Sequence, residues 1–328
     1  MTLHRAGILG TGSALPETIL SNQDLENMVD TTDAWIVSRT GIRERRIAKP
    51  GEATSDYAAS AAERALAAAG LSADEIELIL CATITPDMLF PATACIVQDR
   101  LGATKAAAYD LSAACTGFIY GLATASAFVE SGMYKNVLVI GADLVSRITD
   151  YTDRATCVLF GDGAGAVVVG RVSEDKGILA FDLGSDGSGA KNLYVPAGGS
   201  LNPATSETVE QRLHFIRMGG RDTFKFAVKA MSSSMERAIA SAGLSLSDVD
   251  VLVPHQANVR IIEAACERTG LPLDKVIINI DKYGNTSAAS IPIALDEAVR
   301  SGRIHPSDVC VCVGFGGGLT WGAAAIRM

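Results

Sequence analysis

The stretch AAGLSADEIELILCAT at residues 68–83 recurs as SAGLSLSDVDVLVPHQ at 241–256. Gly70, Leu71 and Ser72 coincide with Gly243, Leu244 and Ser245 at an offset of 173, and in both places an alternation of acidic and apolar residues leads into an apolar strand. Further on, NVLVIGAD at 136–143 echoes DVCVCVGF at 308–315 at an offset of 172, each preceded by a Ser-Gly pair, at 131 and 301, that closes a helix. A helix and strand unit that occurs twice marks a duplicated architecture. The chain is therefore expected to be two fused copies of one α/β fold, a first half over 1–173 and a second over 174–328. A length of 328 residues is enough for two cored halves.

The duplication also directs the search for function, because ligand sites in open α/β sheets collect at strand ends and where related halves meet. After the repeated strand, the second copy reads Pro254-His255-Gln256-Ala257-Asn258 where the first has Ala82-Thr83-Ile84-Thr85. A histidine appears at one strand end only. In the first copy DLSAACTGFIYG, residues 110–121, puts Cys115 where a strand end turns into an apolar helix. Free N–H groups and the macrodipole at a helix N-terminus favour thiolate, the attacking form of cysteine. YGNTSAAS at 283–290 corresponds to Leu111–Thr116 and carries Asn285 near the turn instead of a cysteine. Cys115, His255 and Asn285 are thus expected to converge from related positions.

Each has a plainer reading, since free cysteine usually packs as a small hydrophobe and a buried histidine is commonly a satisfied core residue. Taken together the three describe acyl transfer to sulfur, with two neutral N–H donors aimed at a developing enolate. Gly314-Phe315-Gly316-Gly317-Gly318 supplies a turn whose backbone N–H groups can approach a thioester carbonyl. Phe160-Gly161-Asp162-Gly163-Ala164-Gly165 lacks the context of a nucleotide fingerprint, because the β-branched run Val167–Val169 follows it instead of a helix. It reads as a hairpin turn between strands.

Composition narrows the partners. A net charge of −9 argues against attraction of the whole chain to nucleic acid or an anionic membrane. The exception is Thr31–Lys49, which carries Trp35 and then Arg39, Arg43, Arg45, Arg46 and Lys49. It is either a solvated face or a docking patch for phosphate, with Trp35 available to stack on a flat ring. Seven cysteines without a CxxC pair, metal spacing or signal peptide point to a reducing, cytoplasmic setting and no metal site. Cys310 and Cys312 read as strand packing. The longest apolar run, Gly117–Val129, is too short to span a bilayer and is closed by Glu130, so it reads as a buried core helix.

DLSAACTGF, VPHQANVRII, YGNTSAAS, FGDGAG and GFGGGLTWG, in this order and over essentially the whole chain, resemble the β-ketoacyl-acyl carrier protein synthase III family, the condensing enzymes that initiate type II fatty acid synthesis. The resemblance implies the thiolase fold, a five-layered αβαβα duplication, and a homodimer. It also implies that Cys115 is the acylated nucleophile, that His255 and Asn285 stabilise the enolate formed when malonyl-acyl carrier protein loses carbon dioxide, and that the N–H groups of Cys115 and Gly317 form the oxyanion hole. By the same resemblance Trp35, Arg39 and Arg154 hold coenzyme A, Phe90 reaches into the partner subunit's acyl pocket, and Arg260 and Lys225 meet the acidic carrier protein. The implied reaction condenses a short acyl-CoA such as acetyl-CoA with malonyl-acyl carrier protein, and it needs no metal or redox cofactor.

Several rivals share the fold. An elongating synthase resembles a Cys-His-His arrangement, which Asn285 argues against. A thiolase needs a second cysteine near the C-terminal glycines, where Cys312 lies close. A plant-type polyketide synthase resembles a longer chain, and a specialised paralogue making a polyketide or quinolone-type starter is the more serious alternative. A non-catalytic interaction protein would not need the cysteine, histidine and asparagine together.

Overall fold

The computed structural model describes residues 5–328. The elements that build the site follow in chain order: β1 (Arg5–Ala14), α1 (Asp33–Thr40), α2 (Thr54–Ala69), β2 (Leu78–Ala82), α3 (Thr93–Leu101), β3 (Ala107–Leu111), α4 (Gly117–Ser131), β4 (Asn136–Leu144) and β5 (Asp162–Val172). The second half continues with β6 (Gly177–Ser185), α5 (Gly220–Ser241), β7 (Val251–Pro254), α6 (Val259–Thr269), α7 (Ser290–Arg300), β8 (Val309–Gly316) and β9 (Thr320–Arg327).

One sheet has the order β1-β5-β4-β2-β3 and the other β6-β9-β8-β7. In the first, β4, β2 and β3 run parallel while β5 is antiparallel to β1 and β4. In the second, β7 and β8 are parallel and β9 is antiparallel to β8 and β6. The second sheet thus repeats the first strand by strand, except that β3 has no full counterpart. Its place is taken by a single bridge from Val276 to Leu252, with the Ile277 N–H donating to the Leu252 carbonyl at 2.9 Å.

The side-chain pattern fixes the layers. A helix apolar around its whole circumference belongs in an interior, and α4, reading GFIYGLATASAFVES, lies with α7 between the sheets. Phe118, Ile119 and Leu122 of α4 and Ile291 and Leu295 of α7 form one core with Val137, Val139, Cys310 and Cys312. Helices α2 and α3 cover the outer face of the first sheet, and α5 and α6 that of the second. The order αβαβα follows, as the resemblance implied. Close contact of α2 with β1 depends on small residues on both sides: a Cβ at Gly12 would lie 2.4 Å from the Ala61 carbonyl oxygen and the Ala65 nitrogen. Among the described residues no helix is long and apolar enough to cross a membrane.

The structure revises three expectations. Leu78 lies opposite Val137, Val251 lies opposite Cys310, and all four side chains face the core between the sheets. Val137 is therefore matched by Cys310 at an offset of 173, not by Val309 at 172, because a slip of one residue turns every side chain to the other face. The FGDGAG segment is not a hairpin turn: β4 and β5 are antiparallel neighbours joined through residues 145–161, and Asp162 already lies opposite Leu144 in the ladder. Finally, Arg45 is not part of a solvated basic face, since it is 0% exposed. Its guanidinium donates to the Leu20 and Val158 carbonyls and to Asn22 Oδ1, and burial lowers its pKa to about 10.

Candidate active site

The offset of 173 carries through to the two loops that meet between the sheets. Cys115 sits in a single 3-10 turn, Ala114–Thr116, that runs into α4, and the turn Ser287–Ala289 runs into α7 in the same way. Both turns are entered by a non-glycine residue in the left-handed region, Ala114 at φ 47° and its counterpart Ser287 at φ 51°. Such backbone strain concentrates at functional positions. By this register the counterpart of Cys115 is Ala288; Asn285 stands three residues earlier, on the approach to the turn.

The two halves treat the equivalent backbone N–H groups differently. That of Ala288 donates to the carboxylate of buried Asp143 at 3.1 Å. The counterpart of Asp143 is Gly316, and a Cβ there would lie 2.8 Å from the nitrogen of Cys115. The amide of Cys115 therefore faces a bare glycine where its symmetry mate is capped by a carboxylate. The loop is held by Thr320, whose hydroxyl lies 3.1 Å from the Ala113 carbonyl and 3.2 Å from that of Gly317 and receives a bond from Thr116 Oγ1 at 2.8 Å.

His255 leaves the end of β7, where its N–H donates to the Val313 carbonyl at 2.8 Å. The ring is 1% exposed, packs edge-on against Phe315 at 5.4 Å and places Nδ1 2.6 Å from Ser290 Oγ. Nε2 is buried without a hydrogen-bond partner. Burial lowers the imidazole pKa to about 3, so the ring is neutral. Asn285 is fixed through its backbone, its N–H donating to the Leu159 carbonyl at 2.8 Å and its own carbonyl accepting from Gly161 at 3.0 Å. Its Oδ1 accepts from the Ser287 N–H at 2.9 Å, which leaves the amide nitrogen as the group free to donate. Cys115 is 5% exposed, and burial pushes its thiol up to about 12. In the resting site burial thus works against the thiolate that the helix N-terminus favours.

Cys115 lies on the wall between two cavities. One is apolar, about 270 Å³, and lined by Ile84, Val145, Ile148, Phe160, Leu193 and Ile216. The other, about 100 Å³, contains His255, Asn285, Phe315 and Gly316 and opens past Phe224, Asn258 and Ile261. At that opening α1 packs on the start of α6, with Asn258 Nδ2 donating to the Arg39 carbonyl at 3.0 Å. Trp35 is partly exposed, and the Arg154 guanidinium lies 5.1 Å from its ring centroid. Exposed Arg260 and Lys225 flank the same mouth, Arg260 lying 5.9 Å from the ring of Phe224. Gly317 lines the apolar cavity. Phe90 is 85% exposed and lines neither cavity of its own chain. Cys312 is fully buried in the core between the sheets and is not among the residues lining either cavity.

Sequence reasoning missed Asp143, Ser290, Thr320 and the buried Arg45. Asp143 and Ser290 were accessible through the repeat, because each aligns with a glycine, Gly316 and Gly117, in the other half. Thr320 and Arg45 leave no such signal; partners such as the Ala113 and Val158 carbonyls lie far from them in sequence.

A duplicated αβαβα core with cysteine, histidine and asparagine gathered at the junction of its halves is the architecture of the thiolase-fold condensing enzymes. Family models described as 3-oxoacyl-acyl carrier protein synthase III match residues 109–187, and its C-terminal part residues 239–328. The β-ketoacyl-acyl carrier protein synthase III of Caldanaerobacter subterraneus subsp. tengcongensis is 61% identical over 98% of this chain and 97% of its own. That of Clostridioides difficile is 58% identical over 98% of both chains. Among solved structures, the 3-oxoacyl-acyl carrier protein synthase III of Aquifex aeolicus is 49% identical, covering 98% of this chain and 100% of its own with a TM-score of 0.91. The priming β-ketosynthase of the R1128 polyketide pathway is 36% identical over 99% and 97% with a TM-score of 0.92. The chain belongs to the β-ketoacyl-acyl carrier protein synthase III family. It is an acyltransferase, the condensing enzyme that initiates fatty acid synthesis.

Proposed function

We propose that Cys115 carries the acyl group between two half-reactions and that His255 and Asn285 act in the second. The observation that carries this reading is the position of Cys115 on the wall between an apolar cavity suited to an acyl chain and a pocket holding two neutral donors. In the first half-reaction the sulfur attacks the carbonyl of a short acyl-CoA, the C–S bond to coenzyme A breaks, and the thiol proton leaves with the departing thiol. The N–H groups of Cys115 and Gly317 receive the oxyanion. In the second, malonyl-acyl carrier protein loses carbon dioxide and its thioester oxygen becomes an enolate held by His255 Nε2–H and the Asn285 amide. The carbanion attacks the acyl-cysteine, giving 3-ketoacyl-acyl carrier protein and free Cys115. A neutral histidine suits a donor to an enolate better than a proton acceptor, and the low pKa of His255 supports that role.

Trp35 with Arg154 beside its ring, and Arg39 on the same helix as Trp35, suit the adenine and phosphates of coenzyme A, and Arg260 and Lys225 an acidic carrier protein. Exposed Phe90 fits a homodimer in which it closes the partner's acyl cavity, working in the cytoplasm without a metal or redox cofactor. On mixing with acetyl-CoA, the protein is expected to gain one acyl mass on Cys115. Equal labelling of Cys115→Ala would refute the assignment. His255→Ala and Asn285→Ala are expected to acylate and fail in condensation; a block at acylation in both would move their role to the first step. The R1128 priming synthase favours a second reading, a polyketide-type starter enzyme. A panel of straight, branched and aromatic acyl-CoA primers separates the two. Burial of Cys312 away from both cavities disfavours a thiolase; condensation of two acetyl-CoA molecules without malonyl donor would restore that reading.

A further inference from the structure

The repeat singles out one residue that the chemistry above leaves unused. At the offset of 173, Ala82 corresponds to His255 and Gly117 to Ser290. In the first half these positions touch: a Cβ at Gly117 would lie 2.9 Å from the Cβ of Ala82, so the end of β2 packs on the start of α4 with no polar group between them. The second half makes the same contact between the end of β7 and the start of α7, but fills it with a hydrogen bond between His255 Nδ1 and Ser290 Oγ, 2.6 Å apart. Both residues are almost fully buried, at 1% and 2% exposure.

The polarity of that bond follows from its surroundings. The Gln256 N–H points at Ser290 Oγ from 3.4 Å and takes one of its two lone pairs, and among the described residues the hydroxyl hydrogen has no acceptor within hydrogen-bond distance other than His255 Nδ1. The hydroxyl hydrogen then has Nδ1 as its acceptor. A neutral imidazole accepting at Nδ1 carries its proton at Nε2, the nitrogen that is buried without a partner. The opposite tautomer would make Nε2 a bare acceptor, suited to take a proton from Cys115 and unable to donate to an enolate.

We propose that Ser290 is a positioning residue that selects the Nε2–H tautomer of His255 and so commits the histidine to donating to the malonyl thioester oxygen. The inference rests on the role of His255 proposed above and names what fixes that role. It also explains why the second half is polar at a contact that is apolar in the first: the exchange of Ala82 and Gly117 for His255 and Ser290 is a paired change, and the histidine alone would have no defined tautomer.

The test combines nitrogen NMR of the full-length, histidine-labelled protein with separated half-reactions. The chain has 4 histidines, so the His255 signals are assigned by their loss in His255→Ala. In the unsubstituted protein the proton is expected on Nε2. In Ser290→Ala the two tautomers are expected to mix, and the condensation kcat to fall roughly 10- to 100-fold, the range lost when the hydrogen-bond partner that fixes the tautomer of a metal-ligating histidine is removed. Acyl loading of Cys115 should stay within about twofold, since His255 acts only in the second half-reaction. Ser290→Thr, which keeps the hydroxyl, should recover both spectrum and rate, whereas a purely structural role would not couple the two. A proton on Nδ1 in the unsubstituted protein, or a Ser290→Ala variant with unchanged tautomer and condensation, overturns the proposal. If His255→Ala condenses normally, the role of His255 fails; if it does not and Ser290→Ala does, only the role of Ser290 fails.

Discussion

At the scale of single residues, the site depends on what burial does to His255 and on the space left beside Cys115. His255 is held neutral with its pKa lowered to about 3, against about 6.5 in water. Because the folded value is depressed, protonation sets in only as the pH falls far below the usual range. Condensation by enzyme already acylated on Cys115 should therefore show no acid limb between about pH 5.5 and 8, the window of an unperturbed histidine. An inflection near 6.5 in single-turnover rates would contradict this. Gly316 gives a second expectation. A methyl group there would sit 2.8 Å from the Cys115 nitrogen and 3.3 Å from its Cβ, in the space an oxyanion needs. Gly316→Ala should slow acylation about 10²-fold, the scale of a lost oxyanion-hole donor, as read from the rate of acyl mass gain.

At the scale of elements, the central helix α7 is tied to the first half by a buried carboxylate. Asp296 is 0% exposed and accepts from Thr11 Oγ1 at 2.8 Å and Ser13 Oγ at 2.5 Å, both on β1, while pairing with Arg300 one turn on. Asp296→Ala leaves two buried hydroxyls without that acceptor and should cost roughly 2–4 kcal/mol in denaturant unfolding. The loss would come through the joint between halves, so Cys115 acylation at low denaturant should persist. The repeat itself was legible at this scale. Helix stops at Gly70, Gly132, Gly243 and Gly302 and the strand cores follow from periodicity and composition. The offset was not fully legible, because NVLVIGAD and DVCVCVGF match almost equally well one residue apart and only the face each side chain takes decides.

For the whole molecule, Met88, Leu89 and Phe90 form a protruding apolar segment, with Leu89 and Phe90 86% and 85% exposed. Three large hydrophobic side chains in a row on the surface mark an interaction site. If that segment seats on a second copy of the chain, Leu89→Asp should shift the protein from dimer to monomer in sedimentation. A narrower substitution, Phe90→Ala, should retain the dimer and broaden the range of primers accepted. A monomeric unsubstituted protein would remove Phe90 from the acyl cavity altogether.

The sequence by itself determined the duplication of one α/β fold and the identity of the cysteine, histidine and asparagine as the odd residues at equivalent loops; the αβαβα layering came only through the family resemblance. The duplication and those three residues are written in local pattern: periodicity, glycine stops, and a residue present in one copy and absent from the other. The tertiary structure decided what those residues are in chemical terms. Whether Cys115 rests as thiol or thiolate, which nitrogen of His255 is free and which atom of Asn285 can donate depend on desolvation and on partners such as Ser290 and Ser287. It also decided that Arg45, one more cation in a basic run, is a buried brace for the loops around Asn285. Desolvation and hydrogen-bond geometry are sums over atoms brought together by folding, and no window of sequence contains them.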